Sequence, residues 1–242
     1  MILFVIGDFW DIMGKKTKIL IISLIVIIVA ILGFFILTEG SSELVGENSL
    51  GSVTKVNYTH SNNTPVKIAV VSGMHPRENL HKIILPIACR FFAFNHNDVE
   101  VVNYWVKVTD SPDDFYKSRN NGESLVHDYV VGEITRSEPD LVIIGHDHEP
   151  GYGEGYYIAT PTMDNESVEL AEEVTGDIGF NHYKRNKTQP TKSTSIRAVD
   201  NPIVDTGTML FVYEIPETDT KAVAFIESYR LLEASYNHLL NQ

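Results

Sequence analysis

The chain is poor in cysteine and in positive charge. Its 242 residues include one cysteine, Cys89, so no intrachain disulfide can form and a cysteine-based zinc site is excluded. Cys89 lies in an apolar helical stretch, and we expect it to pack in the core. The 19 Lys and Arg against 32 Asp and Glu give a formal net charge of −13. Such an acidic chain repels phosphate backbones, so we expect no nucleic-acid partner.

One long apolar run occupies residues 19–37, in which Ser23 and Gly33 are the only less hydrophobic residues. At 1.5 Å per residue this run reaches about 28 Å, close to the hydrocarbon thickness of a bilayer. Lysines precede it and glutamates follow it, so the positive-inside rule predicts a cytoplasmic N-terminus (1–18) and a single-pass anchor in the cell membrane (19–37). The remainder would lie on the extracytoplasmic side. The alternative is a cleaved signal peptide, although no small-x-small cleavage site follows the run.

Two translation starts fit the N-terminal sequence, Met1 and Met13, the second opening a basic stretch ahead of the run. Residues 38–51 are rich in Ser, Glu and Gly without periodicity, which predicts a linker. Four Asn-x-Ser/Thr triplets lie on the predicted outer side and are consistent with that topology. They begin at Asn57, Asn62, Asn165 and Asn186.

Strands and helices alternate through residues 52–242. This alternation predicts a single α/β domain with a mixed, largely parallel central sheet flanked by helices. The predicted strands are Ser52–Thr59 (at an edge), Val66–Val71, Val99–Val108, Asp140–Ile144, Tyr156–Ala159 and Thr208–Ile215. The predicted helices are Glu78–Phe94, Glu123–Arg136, Asp164–Thr175 and Lys221–Leu240, and the stretches Asp110–Asn121 and Gly176–Ile203 are predicted to be irregular.

Residues with useful chemistry stand where predicted strands end. His75, His146 and Glu214 each fall at or just beyond the C-terminal end of one strand. Ligands of such sheets bind outside the carboxyl ends of the strands, so we expect these side chains to share a site. A strand end followed by a helix start would hold His75 and Glu78 rigidly, as zinc requires. His146 would be the third ligand, and the fourth position would stay open for water.

The His-x-x-Glu spacing alone is weak evidence. With 9 His and 32 acids in 242 residues, about 1.2 such pairs with either acid are expected by chance. The chain has two, His75/Glu78 and His146/Glu149. Without a metal, His75 would be a loop histidine and Glu78 would simply stabilise a helix N-terminus. His148 also competes with His146 as the third ligand.

Three segments, in order, resemble the zinc carboxypeptidase family and its succinylglutamate desuccinylase–aspartoacylase branch. Gly73–Glu78 (Gly-Met-His-Pro-Arg-Glu) resembles the Gly-x-His-x-Arg-Glu zinc signature. Asp140–His146 resembles the strand that ends in the third ligand, with Ile-Gly where the family has Asp-Leu. Thr208–Pro216 resembles the late strand that carries the catalytic glutamate. The resemblance covers about residues 52–242.

The resemblance implies one Zn²⁺ ion bound by His75, Glu78 and His146. It also implies that Glu214 is the general base, which takes a proton from the activated water and passes it to the leaving amine. A developing oxyanion needs a positive donor, and Arg119 is the candidate for that catalytic role.

Arg77 is the second candidate for the oxyanion donor. The candidate substrate-binding residues are Arg77, Asn120 and Tyr213. The family's exopeptidases grip the free carboxylate of the substrate with an Asn-Arg pair, whereas this chain has only the reversed Arg119-Asn120. The domain, at about 190 residues, is also short for the family, which argues against a true C-terminal exopeptidase.

Three functions remain open from the sequence. The leading one is a membrane-anchored zinc metallopeptidase or amidase that hydrolyses a peptide or cell-envelope amide bond, and the anchor favours it. An N-acyl amino acid deacylase of the desuccinylase type is the second, and the short domain favours it. The third is a catalytically inactive binding domain of the same fold.

Overall fold

The structure is a computed structural model that describes residues 13–59, 61, 64–186 and 193–242. The predictions for a start at Met1 and for a glycosylation triplet at Asn62 fall outside these residues. The chain forms two compact units, divided between Glu39 and Gly40. The first contains helix α1 (Lys15–Leu37), which is long and apolar enough to cross a membrane. A signal sequence meets the same criterion, so this helix alone does not separate the two alternatives.

The second unit is a mixed sheet with helices on both faces, which confirms the predicted fold class. Its strands are β1 (Ser41–Asn48), β2 (Gly51–Asn57), β3 (Val66–Ser72), β4 (Val99–Val108), β5 (Leu141–His148), β6 (Tyr157–Thr160), β7 (Asn181–Lys184) and β8 (Met209–Pro216). Its α-helices are α2 (His81–Asn95), α3 (Phe115–Leu125), α4 (Val131–Ser137), α5 (Asn165–Ile178), α6 (Asn201–Val204) and α7 (Lys221–Leu240). Single π-helical turns stand at Val126–Val130 and Ile196–Asp200.

The strands run in the order β1-β2-β4-β3-β5-β8-β6-β7 across the sheet. The central strands β4, β3, β5 and β8 are parallel to one another, whereas β2 and β6 run antiparallel to their central neighbours. The carboxyl ends of four parallel strands therefore meet at one edge. In the register of β5 and β8, His146 lies directly opposite Glu214.

Two apolar cores cover the two faces of the sheet. Strand β3 is apolar from Ile68 to Val71 because alternate residues enter different cores, Ile68 and Val70 on one face and Ala69 and Val71 on the other. The first core packs against α2, α5 and α7, and Cys89 is buried within it as predicted. The second packs against α3, α4 and α6.

The prediction of an irregular linker at residues 38–51 is wrong for most of this segment. Ser41–Asn48 forms β1, which pairs antiparallel with β2 and takes the edge position that was predicted for Ser52–Thr59. Most of β1 is exposed, so it has no buried face to impose an apolar alternation on its sequence. Backbone pairing with β2 is what makes this segment a strand.

The prediction of a polar loop at Asp110–Asn121 is also wrong for the second half of this segment. Helix α3 begins at Phe115, and the side chain of Asp114 caps it by accepting a hydrogen bond from the Lys117 N–H at 2.8 Å. Only a few side chains of α3 are buried, so its sequence carries little apolar periodicity. Arg119 and Asn120 therefore stand on a helix rather than on a loop. The segment predicted irregular at Gly176–Ile203 likewise contains β7 and a helical turn.

Candidate metal centre

A tight turn after β3 starts the site. Gly73 has a φ of +81°, a conformation that favours glycine, and a Cβ there would overlap the carbonyl oxygen of Val106. The Gly73 N–H donates to His81 Nε2 at 3.1 Å, which ties the turn to the first residue of α2. The turn delivers His75, itself buried, to the carboxyl edge of the sheet.

The structure brings together His75, Glu78 and His146. One potential ligand atom from each lies within 4.8 Å of the other two. The two Glu78 oxygens face the two histidines, with Oε1 at 2.9 Å from His75 Nδ1 and Oε2 at 3.0 Å from His146 Nδ1. Two imidazole nitrogens and a carboxylate oxygen are a donor set typical of catalytic zinc sites with an open fourth position. The three residues therefore fit a divalent metal ion.

The electrostatics of the cluster favour metal-binding protonation states in His75 and Glu78, whereas His146 is protonated and gives up its proton when a metal binds. Burial and the positive charge of His146 lower the pKa of His75, so its ring is neutral and has a free lone pair. Burial alone would raise the pKa of Glu78, but His146 and His75 outweigh burial and hold that pKa well below its usual value. Burial would lower the pKa of His146, yet Glu78 raises it to about 9. Without a metal, the negative charge of Glu78 is balanced by the positive charge of His146 in an ion pair.

Asp147 and His81, which sequence reasoning missed, hold the framework of the cluster. Asp147 accepts hydrogen bonds from the N–H groups of Leu80 (2.5 Å) and His81 (2.8 Å) at the start of α2. Because His81 Nε2 accepts from Gly73, its Nδ1 carries the proton and donates to Asp147 Oδ1 at 3.1 Å. The Asp147 N–H in turn donates to Glu78 Oε2 at 3.1 Å. The turn after β3, the start of α2 and the end of β5 are thus pinned together.

His148, the rival third ligand, points to other partners. Its Nε2 lies 2.9 Å from the carbonyl oxygen of Gly155, and its ring packs against Tyr157 with the centroids 5.2 Å apart. The metal-competent group found among the described residues contains His146 and not His148. The geometry therefore favours His146.

Glu214, the predicted general base, lies in β8 beside the cluster. It lies opposite His146 in the sheet register and on the same face of its strand as Leu210, which belongs to the second core. Burial raises the pKa of Glu214, with Glu78 adding to the shift and His146 opposing it. On the other side of β8, Glu214 is paired in register with Tyr157, whose pKa burial also raises.

Two arginines border the cluster. Arg119 Nη1 donates to Glu78 Oε1 at 3.0 Å, and the Arg119 side chain is 36% exposed. Arg77 is exposed, and the guanidinium carbons of Arg77 and Arg119 lie 5.7 and 5.5 Å from the ring centroid of Phe115. Asn120 is exposed on α3 beside them. A polar substrate can therefore reach both guanidinium groups from solvent.

The prediction that Tyr213 binds substrate is wrong. Its side chain is 0% exposed in the first core, and its hydroxyl lies 3.3 Å from Ser228 Oγ on α7. Successive residues of a strand point to opposite faces, so Tyr213 points away from the face that carries Glu214. Tyr213 belongs to the strand motif that resembles the zinc carboxypeptidase family, which is why the sequence places it in the site. Of these two neighbours, only Glu214 faces the site.

A buried carboxylate, Glu123, was also missed. Its Oε1 lies 3.6 Å from His75 Nε2, the ring nitrogen that does not face Glu78. Burial would raise the pKa of Glu123, but the nearby His75 and Thr194 side chains outweigh burial and lower it. A carboxylate behind a ligating histidine orients the ring and increases its basicity. Nothing in the sequence around Glu123 marks it, because the contact joins α3 to a turn some 48 positions earlier.

No protein-family model matches this chain, and no curated protein matches its sequence. Solved structures do match. A metallo-carboxypeptidase from Burkholderia cenocepacia aligns with a TM-score of 0.59 at 10% identity, over 86% of this chain and 66% of that one. A metallo-carboxypeptidase from Pseudomonas aeruginosa, in complex with (2-guanidinoethylmercapto)succinic acid, aligns with a TM-score of 0.55 at 12% identity, over 85% and 66% of the two chains.

The product-bound cell shape determinant protein Csd4 from Helicobacter pylori aligns with a TM-score of 0.53 at 11% identity, over 78% of this chain and 55% of that one. This chain thus spans about two thirds or less of the length of these neighbours. At such low identity the likeness concerns the fold alone. The chain has the fold of the metallo-carboxypeptidases.

Proposed function

We propose that this chain is a zinc-dependent hydrolase of amide bonds, with His75, Glu78 and His146 as the metal ligands. The observation that carries the proposal is the convergence of these three residues at the carboxyl edge of the sheet, within 4.8 Å of one another. A bound zinc ion would supply a Lewis acid and an activated water at the open fourth position.

The chain's own residues supply the remaining chemistry. Glu214 takes a proton from the attacking water and passes it to the leaving nitrogen, and burial raises its pKa toward the range useful for that exchange. Arg119, partly exposed beside Glu78, donates to the oxygen that gains charge. Arg77 lies next to it across Phe115 and would bind a polar group of the substrate, with Asn120 alongside.

We further propose that α1 anchors the enzyme in a membrane with the catalytic domain outside. The apolar length of α1, the lysines before it and the glutamates after it support this orientation. An amide of the cell envelope is then the substrate within reach. The neighbour Csd4 is named a cell shape determinant, which agrees with such a substrate.

An N-acyl amino acid deacylase is the second candidate. It remains a candidate because the chain has Arg119-Asn120 in place of the Asn-Arg pair with which the family's exopeptidases grip the free carboxylate of a peptide. A panel of peptides and N-acyl amino acids, offered to the zinc-loaded protein, separates the two functions by which class is hydrolysed.

Metal analysis tests the site itself. We expect the full chain, purified in detergent, to retain about one zinc per chain after dialysis, because three donors already converge on one point. His75→Ala removes one donor and should lower retained zinc to the level of chelator-treated protein. His238→Ala is the matched control, since His238 lies between Glu173 and Asp177 away from the cluster. Zinc near one per chain in His75→Ala would show that the ligands are assigned wrongly.

A further inference from the structure

One exposed aromatic ring contacts both arginines of the site. Phe115 is the first residue of α3, and its side chain is 46% exposed. The guanidinium carbon of Arg77 lies 5.7 Å from the centroid of this ring, and that of Arg119 lies 5.5 Å from it. Both distances are within the range of a cation–π interaction. The two cationic groups that border the metal centre therefore share one aromatic partner.

The two arginines reach Phe115 from different parts of the chain. Phe115 and Arg119 are four residues apart on α3, a spacing that places both side chains on one face of the helix. Arg77 belongs to the turn between β3 and α2, where its carbonyl oxygen accepts a hydrogen bond from Asn79 Nδ2 at 3.2 Å. Phe115 thus joins the helix that carries one arginine to the turn that carries the other.

Arg77 depends on this ring more than Arg119 does. Within the described part of the chain, the guanidinium group of Arg77 makes no hydrogen bond and no ion pair, so its contact with Phe115 is what orients it. Arg119 has a second contact, because its Nη1 donates to Glu78 Oε1 at 3.0 Å. The ring therefore orients one arginine by itself and shares the other with a carboxylate.

The contact between Arg119 and Glu78 weakens when Glu78 binds a metal ion. A carboxylate that coordinates a cation has part of its negative charge neutralised, and it then attracts a guanidinium group less strongly. Glu78 is a proposed ligand, so the zinc-loaded protein would rely on Phe115 to hold Arg119 as well. The face of an aromatic ring is uncharged, and a nearby metal ion does not neutralise it in the same way.

We propose that Phe115 is a positioning residue, which holds the guanidinium groups of Arg77 and Arg119 against one ring so that they act on the substrate as a pair. The inference rests on the proposed function, since it concerns the two arginines of the same site. Long side chains at an exposed rim lose rotamer freedom when they bind, and prior contact with a ring lowers that cost. Tyr116 packs edge-on against Phe115, with the centroids 5.1 Å apart, and supports the ring.

The reactivity of the arginines tests these contacts directly. Phenylglyoxal modifies accessible guanidinium groups, and mass spectrometry of peptides from the full chain in detergent gives the rate at each arginine. In zinc-loaded protein we expect Phe115→Leu to raise the rates at Arg77 and Arg119 about 2- to 5-fold, the strength of an exposed cation–π contact. Phe115→Trp keeps an aromatic face and should restore slow modification. Arg197, exposed on the π-helical turn before α6, is the internal reference.

The same measurement without zinc separates this inference from the metal assignment. In chelator-treated protein Glu78 still holds Arg119, so Phe115→Leu should raise the rate at Arg77 far more than the rate at Arg119. If zinc leaves that pattern unchanged, Glu78 is not a metal ligand, while the raised rate at Arg77 still supports the role of Phe115. If Phe115→Leu leaves the rate at Arg77 unchanged in both forms, the proposal is overturned.

Kinetics show whether the positioning matters for hydrolysis. The probe is acetyl-alanyl-alanine or, if only acyl amino acids are hydrolysed, acetyl-alanine. We expect Phe115→Leu to lower kcat/KM about 3- to 10-fold. Both parameters should change, KM rising because Arg77 is assigned to binding and kcat falling because Arg119 is assigned to the developing charge. Phe115→Trp should recover most of the loss, whereas equal losses for the leucine and tryptophan variants would overturn the proposal.

A control variant and two structural measurements separate positioning from a role in folding. Phe94→Leu replaces an aromatic side chain of similar exposure, 51%, near the end of α2, and it should leave kcat/KM unchanged. Phe115→Leu should keep its zinc content and melting temperature, because the position is half-exposed and leucine is the better helix former. A lower melting temperature with an unchanged rate of modification at Arg77 would assign Phe115 to the framework. If the wild type hydrolyses neither probe, the arginine rates alone decide.

Discussion

Glu214→Gln is expected to lower kcat by about 10²- to 10⁴-fold while the protein keeps its zinc, because the amide cannot accept the proton of the attacking water. Glu214 lies opposite His146 in the β5–β8 register, and its carboxylate forms no hydrogen bond or ion pair with another described side chain. It is therefore available for proton transfer, and burial raises its pKa above that of an exposed glutamate. Glutamine preserves the shape of the side chain, so the loss should appear in kcat rather than in folding.

Two further measurements define this prediction. Zinc content and melting temperature of Glu214→Gln should match those of the wild type, since Glu214 is outside the His75–Glu78–His146 group. Glu217→Gln is the control, because Glu217 is exposed just beyond the end of the same strand. If Glu214→Gln keeps full activity with zinc bound, another group is the base.

The position of the candidate site was predictable because it depends on strand ends. Continuous apolar runs such as Ile68–Val71 and Leu141–Ile144 mark strands buried on both faces, and such strands are parallel neighbours in α/β sheets. Residues at their carboxyl ends then meet at one edge. The sequence alone therefore predicts that His75, His146 and Glu214 lie close together.

The parts that could not be predicted depend on contacts across the chain. Asp147 follows a histidine in the sequence, yet its role comes from the N–H groups of Leu80 and His81 more than 60 positions earlier. Tyr213 belongs to the family-like motif and is still excluded from the site, because only every second residue of β8 faces it. The local sequence predicts neither the role of Asp147 nor the burial of Tyr213, because both depend on which strands and helices become neighbours in the fold.

The close approach of α3 to the turn before His75 leads to the second large effect. In α3, Gly122 packs directly on Met74, and a Cβ at this position would overlap the Met74 carbonyl oxygen. Gly122→Ala must therefore push α3 away from the turn. Overpacking of this kind costs about 1–3 kcal/mol or more, which exceeds the gain of up to about 1 kcal/mol in helix propensity. We expect a lower midpoint of urea unfolding, as measured by tryptophan fluorescence.

The displacement should also reach the metal centre, which makes the prediction specific. Helix α3 carries both Arg119, bonded to Glu78, and Glu123, which lies 3.6 Å from His75 Nε2. Moving the helix weakens both contacts, so zinc affinity should fall about 10- to 100-fold together with stability. Gly132→Ala in α4 is the matched control, because its added Cβ would meet only the flexible end of Arg136 at 3.5 Å. The free energy of unfolding of Gly132→Ala should rise by up to about 1 kcal/mol, and its zinc affinity should be unchanged. Equal effects of the two alanines would mean that α3 does not pack on the His75 turn as closely as Gly122 requires.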